Sequence, residues 1–473
     1  MMEDVFGAGG ANPLKKKGSD LPGQRGAWLS PQAVERMAPF VLGAWGLALF
    51  AFLFGFFAKE HNAFPSRQVT DGRNLLEAIA GRVLHPGRPV FPYLSTTETR
   101  TVVVRRPGAI APGLTLLSGV GGKGSVFAKI IDADGHVLHR WDLDWFRLWP
   151  HASYLPADVR PRSRPGTHAH GMVLEANGDL VFNYENIGLM KVDVCGRPIW
   201  RLPRRTHHSI ERDDAGNYWV PELDDSTAPD PELPNHKPVL RHYSILEISP
   251  GGRVLRDIPI FDLLLRNGYD GLLFLQSTDE LKTDVVGDML HVNKVAVFPA
   301  SMTEGIFKRG DVMVSMRNLN SIFVFDPKTL IIKSMIFGRF VRQHDPRFVD
   351  GNTVSIFDNN NRNDDQSKDA SRILTYSAKN GLINVVYQGT PDHPFFSAAM
   401  GKQQRLENGD ILVTEAFKGR AFELSPDKQI VWEYYNQTGQ KGVLGLLDEA
   451  QRIQPGFLSA SKLAALAAAC PAN

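Results

Sequence analysis

Apolar and polar positions follow two different rules along this chain. Residues 38–58, APFVLGAWGLALFAFLFGFFA, carry no charge at all. As a helix those 21 residues would reach about 31 Å, close to the roughly 30 Å hydrocarbon core of a bilayer, so a transmembrane helix is expected there. The stretch is long for a cleaved signal, and no small-x-small site precedes the polar sequence that begins at Lys59. From about Thr101 onward the pattern changes to short apolar runs broken by turn residues, without 3.6-residue stripes. That pattern predicts strands and an all-β body.

The runs repeat as a unit: a His or polar residue, an apolar stretch, an Asn-Gly, Gly-Asn or Asp-Gly turn, two more apolar stretches, and a Val/Ile-x-Trp-like strand. Copies start at Gly113, with a degenerate head, and at His170, His207, His291, His344 and Gln404. Spacings of this size suit four-stranded propeller blades, and six units predict a six-bladed β-propeller over residues 101–440. A sandwich is the other arrangement such runs can make. TVVVRRP at 101–107 is a spare strand able to complete the last blade and protect a ring edge.

Around the ring, residues 1–37 read as a flexible cytoplasmic tail and 59–100 as a linker holding a short helix, NLLEAIAG. Residues 441–473 read as a helical tail, with GVLGLLDEAQRI and SASKLAALAAAC as its helices. Lys15, Lys16 and Lys17 tip the charge balance toward an inside N-terminus. The chain is then a single-pass protein of the inner (cytoplasmic) membrane, held to the bilayer by 38–58, with an extracytoplasmic, periplasmic body.

Composition narrows the function. The 473 residues hold 53 Lys+Arg against 51 Asp+Glu, a net +2, which leaves no polybasic footprint for nucleic acid. Cys195 and Cys470 form no CxxC or metal-spaced set, and idle thiols are the expectation. Nothing in the chain settles oligomeric state; a homo-oligomer or a membrane-complex partner is compatible with a tethered body.

Rotational repetition makes the histidines informative. Equivalent residues of successive blades stand at one radius and height, so His170, His208, His291 and His344 at the unit heads would crowd one end of the channel, with Gln404 in the last unit. Carboxylates are scarce at that register, so neither a metal nor another cofactor is expected. With Arg317 the ring could instead hold an anion, or use one imidazole as a nucleophile and the rest to stabilise charge.

The succession HHSIERDDAGNYWV, DMLHVNKV, VSMRNLNSIFVFD, GRFVRQHDPRFVDGNTVSIFDN and QQRLENGDILVTEAFKGRAFELSPDKQIVWEY resembles the bacterial arylsulfotransferase (aryl-sulfate sulfotransferase) family over about residues 110–437. The resemblance implies a six-bladed propeller moving a sulfuryl group from a phenolic sulfate ester to a phenolic acceptor through a sulfated histidine, in ping-pong fashion, without 3′-phosphoadenylyl sulfate or a metal. It implies His344 as nucleophile, with His291, Asn293 and Arg317 holding sulfuryl oxygens. The earlier family histidine falls on His207 or His208, and blade register favours His208. His170, His207, Gln404 and Thr414 stand as candidate substrate-binding residues. A neutral imidazole suits attack on an anionic ester, and a neighbouring imidazolium, His208 or His291, could protonate the departing phenolate. The competing class is a non-catalytic, membrane-tethered propeller scaffold or accessory subunit.

Two further motifs have plainer readings. DNNNRNDDQSKD at 358–369 lacks the Gly and Glu of a calcium loop, and GVGGKG at 119–124 lacks the Lys-Ser/Thr pair of a phosphate cradle.

Overall fold

A computed structural model describes residues 31–60, 94–157, 159–226, 230–231, 233–277, 285–362 and 369–470. The lead over 1–30, the NLLEAIAG helix and most of the linker lie outside the described residues, as does the centre of the 358–369 loop.

Two units make up the chain, divided after Leu84. The first contains one helix, Pro31–Glu60, apolar around its whole circumference over the expected span. Phe40, Leu42, Trp45, Phe50 and Phe56 are all exposed. Among the described residues no helix is long and apolar enough to cross a membrane.

The second unit is a six-bladed β-propeller. Its blades are antiparallel sheets, numbered 1 to 6 in chain order. Blade 1 is built on Leu114–Val120, Val126–Ile131 and Val137–Asp142. Blade 2 runs from Ala169–Leu174 to Pro198–Leu202, and blade 3 from Glu211–Arg212 to Val254–Pro259. Blade 4 runs from Val292–Val297 to Ile331–Phe337, blade 5 from His344–Asp350 to Ile383–Gln388, and blade 6 from Lys402–Arg405 to Ile430–Tyr435. The expected Asn-Gly turns are hairpins: Asp179 N–H bonds to Asn177 Oδ1 at 3.1 Å while Gly178 takes φ +84°.

Ring closure uses both ends of the domain. Val102–Val104 adds to the outer strand of blade 6, where the spare strand was expected. The inner strand of blade 1, however, is Leu447–Ile453, paired with Leu114–Gly119. This corrects the helix expected over GVLGLLDEAQRI. Helix-forming composition yields here to an unpaired sheet edge that needs a partner. The strand's charges are buried and compensated, Asp448 by His168, Glu449 by Lys402 and Arg452 by Glu423. The last helix, Ala460–Ala468, does form.

The cysteines also depart from expectation: Cys195 and Cys470 are joined in a disulfide across 275 residues of sequence. Spacing could not reveal this, because only ring closure brings the end of the chain to the blade 2 turn. Leu463 and Leu466 of the final helix pack with Leu174 and Leu180 of blade 2.

Apolar clusters fill the wedges between neighbouring blades. Between blades 4 and 5, Phe298, Phe307, Phe348, Val354 and Ile356 pack together, each buried side chain contributing about 1.5–3 kcal/mol. The ring is held rigidly from outside, which fixes the inner strands that carry the site.

Candidate active site

The first residues of the inner strands of blades 1, 2, 4 and 5 share one local distortion. Blade pairing slips between Ala169 and Met172, Val292 and Lys294, His344 and Arg347, and Leu447 and Glu449. Such bulges re-aim side chains that a regular strand would send to alternating faces. His208 and His291 take φ +58° and +48°, a left-handed conformation that costs a non-glycine residue stability. Gly171 holds the matching place in blade 2 at φ +89°. A Cβ on Gly171 would meet the His208 carbonyl oxygen at 2.5 Å and Ser209 Cα at 2.9 Å. Bare backbone there lets blade 3 set His208 against His170.

The imidazoles form a chain of rings. His168 and His170 lie 5.4 Å apart, His170 and His208 4.7 Å, and His208 and His291 5.1 Å between centroids. His208 therefore bridges blades 2 and 4. His207 lies behind it, 4.9 Å from its ring and 5.5 Å from Tyr243. The charges of Arg317, His291 and His170 reach the His344 ring. Arg317 follows the blade 4 strand Val312–Met316, half-buried, with its guanidinium on Asn318 Oδ1 at 3.2 Å.

Two of the candidate site residues lie elsewhere. Gln404 exchanges hydrogen bonds with the backbone of Arg452, and Thr414 Oγ1 accepts the Ala450 N–H at 3.0 Å. Both hold the closing strand in place. The sixth blade opens instead with Lys402, whose Nζ lies 3.4 Å from the His208 carbonyl oxygen. Asn293 is in place with a different polarity from that expected. Its Nδ2 donates to the Gln343 carbonyl at 2.8 Å, and its buried Oδ1 has no partner among the described residues. That atom accepts, so it suits a hydroxyl rather than a sulfuryl oxygen.

Partners of the ring nitrogens divide the histidines into two kinds. His168 Nδ1 lies 2.5 Å from Asp448, His170 Nδ1 3.1 Å from Glu185 and His291 Nδ1 2.5 Å from Asp288, while His208 Nδ1 lies 2.7 Å from His207 Nδ1 and 3.2 Å from Glu185. His344 Nδ1 instead faces an amide, Asn359 Oδ1, at 2.6 Å. The Asn359 amide is fixed the right way round because Nδ2 donates to the Ser397 and Met400 carbonyls, each at 2.8 Å. His344 Nδ1 must therefore carry the proton, which leaves the lone pair on Nε2, and Nε2 accepts a long 3.2 Å bond from the Met400 N–H.

Electrostatics follow from those partners. Burial, with Arg317, His291 and His170 adding to it, holds His344 down at about 3. Burial and the surrounding rings likewise keep His207 at about 3 and His208 well below its usual value. Glu185 remains far below the usual carboxylate range despite burial, because His208, His170 and His207 attract its charge. Asp288 is lowered to about 2 against its own burial, chiefly by its bond to His291.

Glu185, Asp288, Asn359, Asp448 and His168 were not legible as site residues. The carboxylates arrive from strand ends and loops rather than from the histidine register, which is why they looked scarce. His168 had a signal, since it stands two residues before His170, a spacing that puts both on one face of an extended chain. With these carboxylates present, His170, Glu185 and His208 each place a ligand atom within 4.8 Å of one another, as do Asp132, Asp134 and His136 near the surface. Both Glu185 oxygens of the first set are engaged by different rings, and Oε2 also accepts the His208 N–H at 2.9 Å.

Solved structures resemble the chain only loosely. A protein of unknown function from Bacteroides caccae aligns at 12% identity over 71% of this chain and 97% of its own, with TM-score 0.43. Virginiamycin B lyase from Staphylococcus aureus aligns at 11% over 56% and 69%, TM-score 0.33, and TolB from Acinetobacter baumannii at 9% over 72% and 66%, TM-score 0.37. Likenesses this weak carry no argument. No curated protein matches the chain. The family model of arylsulfotransferase (ASST), by contrast, matches residues 171–437, from the glycine beneath His208 to the end of blade 6. Since that is more than half of its length, the chain belongs to the arylsulfotransferase (ASST) family.

Proposed function

We propose that the propeller transfers a sulfuryl group from a phenolic sulfate ester to a phenolic acceptor, with His344 Nε2 as the transient carrier. The observation that carries this reading is the partner of His344. Where His168, His170, His208 and His291 each face a carboxylate, His344 faces an amide, and its burial keeps it neutral and nucleophilic. Among the carboxylate-paired rings, His168 is pushed above its usual value, Asp448 outweighing its burial. A sulfate monoester is an anion, so Arg317 and the His291 Nε2, buried without a partner among the described residues, would hold its oxygens.

In the first half-reaction the Nε2 lone pair forms the N–S bond while the S–O bond to the phenolate breaks. The Met400 N–H, released from Nε2, becomes available to a sulfuryl oxygen. In the second half-reaction the acceptor phenol, its hydroxyl held by Asn293 Oδ1, attacks sulfur and returns the lone pair to Nε2. Two successive transfers predict ping-pong kinetics.

The location belongs to the same proposal. An apolar helix exposed on its described faces suits a bilayer anchor at 38–58, and a disulfide in the body suits an oxidising, extracytoplasmic compartment such as the periplasm. Protease added to intact cells should then cut the body and spare the N-terminal tail.

The test of function is to incubate the purified protein with 4-nitrophenyl sulfate and phenol, with and without His344→Ala. Transfer by the parent and its loss in the variant, together with a sulfuryl adduct in intact mass after donor alone, is the expected result. Undiminished transfer by the variant removes His344 from its role. No transfer with any phenolic pair favours the scaffold.

A further inference from the structure

We propose that Glu185 is a positioning residue: it binds His170 and His208 into one proton-sharing pair that serves both half-reactions. The inference rests on the sulfuryl-transfer reading and adds the source and sink of its proton. Glu185 follows the blade 2 strand Leu180–Tyr184, outside every motif that carries the family resemblance.

Its surroundings make it unusual. Oε2 accepts the His208 N–H at 2.9 Å and faces His170 Nδ1 at 3.1 Å, while Oε1 lies 3.2 Å from His208 Nδ1, a nitrogen that also meets His207 Nδ1 at 2.7 Å. Among the described residues no Lys or Arg pairs with it. A largely buried carboxylate with only histidines around it among the described residues is balanced by a cation on those rings. One negative charge balances one proton, and neighbouring rings oppose a second. His207 crowds His208, as does His291 with its Asp288 from blade 4, and His168 with Asp448 stands beside His170. Glu185 also pins the left-handed backbone of His208, so charge and geometry are set by one side chain.

Proton balance then closes over the cycle. As the S–O bond breaks, the pair gives its proton to the phenolate oxygen and a phenol departs. When the acceptor phenol attacks the sulfated His344, its proton passes to the pair as the N–S bond breaks. His344 keeps its Nδ1 proton on Asn359 throughout.

The test compares two donors with the full-length protein. 4-Nitrophenolate leaves with little help, whereas phenolate needs an acid. Glu185→Gln keeps the shape and removes the charge. It should lower kcat/KM for phenyl sulfate by about 100-fold and that for 4-nitrophenyl sulfate by less than about 10-fold. His170→Asn should show the same selectivity, and it decides alone if Glu185→Gln does not fold. Equal losses on both donors would overturn the proposal. A second arm needs no turnover: 15N spectra of histidine-labelled protein should show ring nitrogens sharing a proton in the parent and not in Glu185→Gln. Unchanged spectra would overturn the proposal, as would a stoichiometric transition metal that purifies with the parent and is lost from the variant. A parent that turns over no aryl sulfate would sink the sulfuryl-transfer reading instead, and leave the spectra to judge Glu185.

Discussion

Asn359 Oδ1 lies 2.6 Å from His344 Nδ1 and is locked in that orientation by two backbone carbonyls on its other side. An amide at this place fixes the tautomer and stabilises the imidazolium less than a carboxylate would. The ring is held at about 3, so at neutral pH it is unprotonated and needs no activation.

Asn359→Asp should therefore behave as a charge switch. The new carboxylate raises the His344 value, and the ring protonates as pH falls through that higher value. The acid limb of kcat/KM should move up by at least about 1 pH unit, since a paired carboxylate shifts a neighbour by about 1–3 units. A pH–rate profile of parent and variant checks this; superimposable limbs would contradict it.

Asp288 links the site to stability. Its folded value of about 2 lies below the ordinary 3.8, so its contribution is fully present above 3.8 and is lost as pH falls through about 2. A depression of this size corresponds to about 2 kcal/mol. Asp288→Asn should be less stable than the parent at about pH 5–7 by up to that amount, and the gap should close toward about pH 2. Urea midpoints across that range measure it.

Much of the fold was readable because a propeller writes its period into the chain. Each unit head, turn and closing strand recurs, so six blades and the convergence of His170, His208, His291 and His344 followed from repetition. What stayed hidden depends on ring closure, which has no local signature. Leu447–Ile453 has helix-forming composition and becomes a strand only because blade 1 lacks its inner edge. Cys195 meets Cys470 only after that strand is laid down. Glu185, Asp288 and Asn359 reach the rings from outside the repeated register, and Gln404 was misplaced because Lys402 is the residue at the head of blade 6.

Gly171 tests whether the crowding of His208 against blade 2 matters. Gly171→Ala would put a methyl 2.5 Å from the His208 carbonyl oxygen at a φ of +89°. Either the blade 2–blade 3 seam opens or His208 shifts, at a cost of about 1–3 kcal/mol. A lower melting temperature should accompany a loss of transfer activity larger than the unfolded fraction explains, because the ring chain is broken in the folded molecules too. A variant with parental activity and a parental melting temperature would show that the seam has slack.

The tie between Cys195 and Cys470 holds the final helix to the blade 2 turn, just beyond the strand that closes the ring. Linking residues so far apart removes unfolded-state freedom, and its loss should cost about 2–5 kcal/mol. Cys470→Ser should lower the urea midpoint of the body, and dithiothreitol should lower the parent to the same value. The site lies on the inner strands, which keep their pairing, and a rigid ring transmits little from a distant tether, so kcat at temperatures well below melting should stay within about 2-fold. A variant that melts like the parent would mean that strand pairing alone closes the propeller, and one that keeps its stability but loses activity would place the final helix in the working of the site.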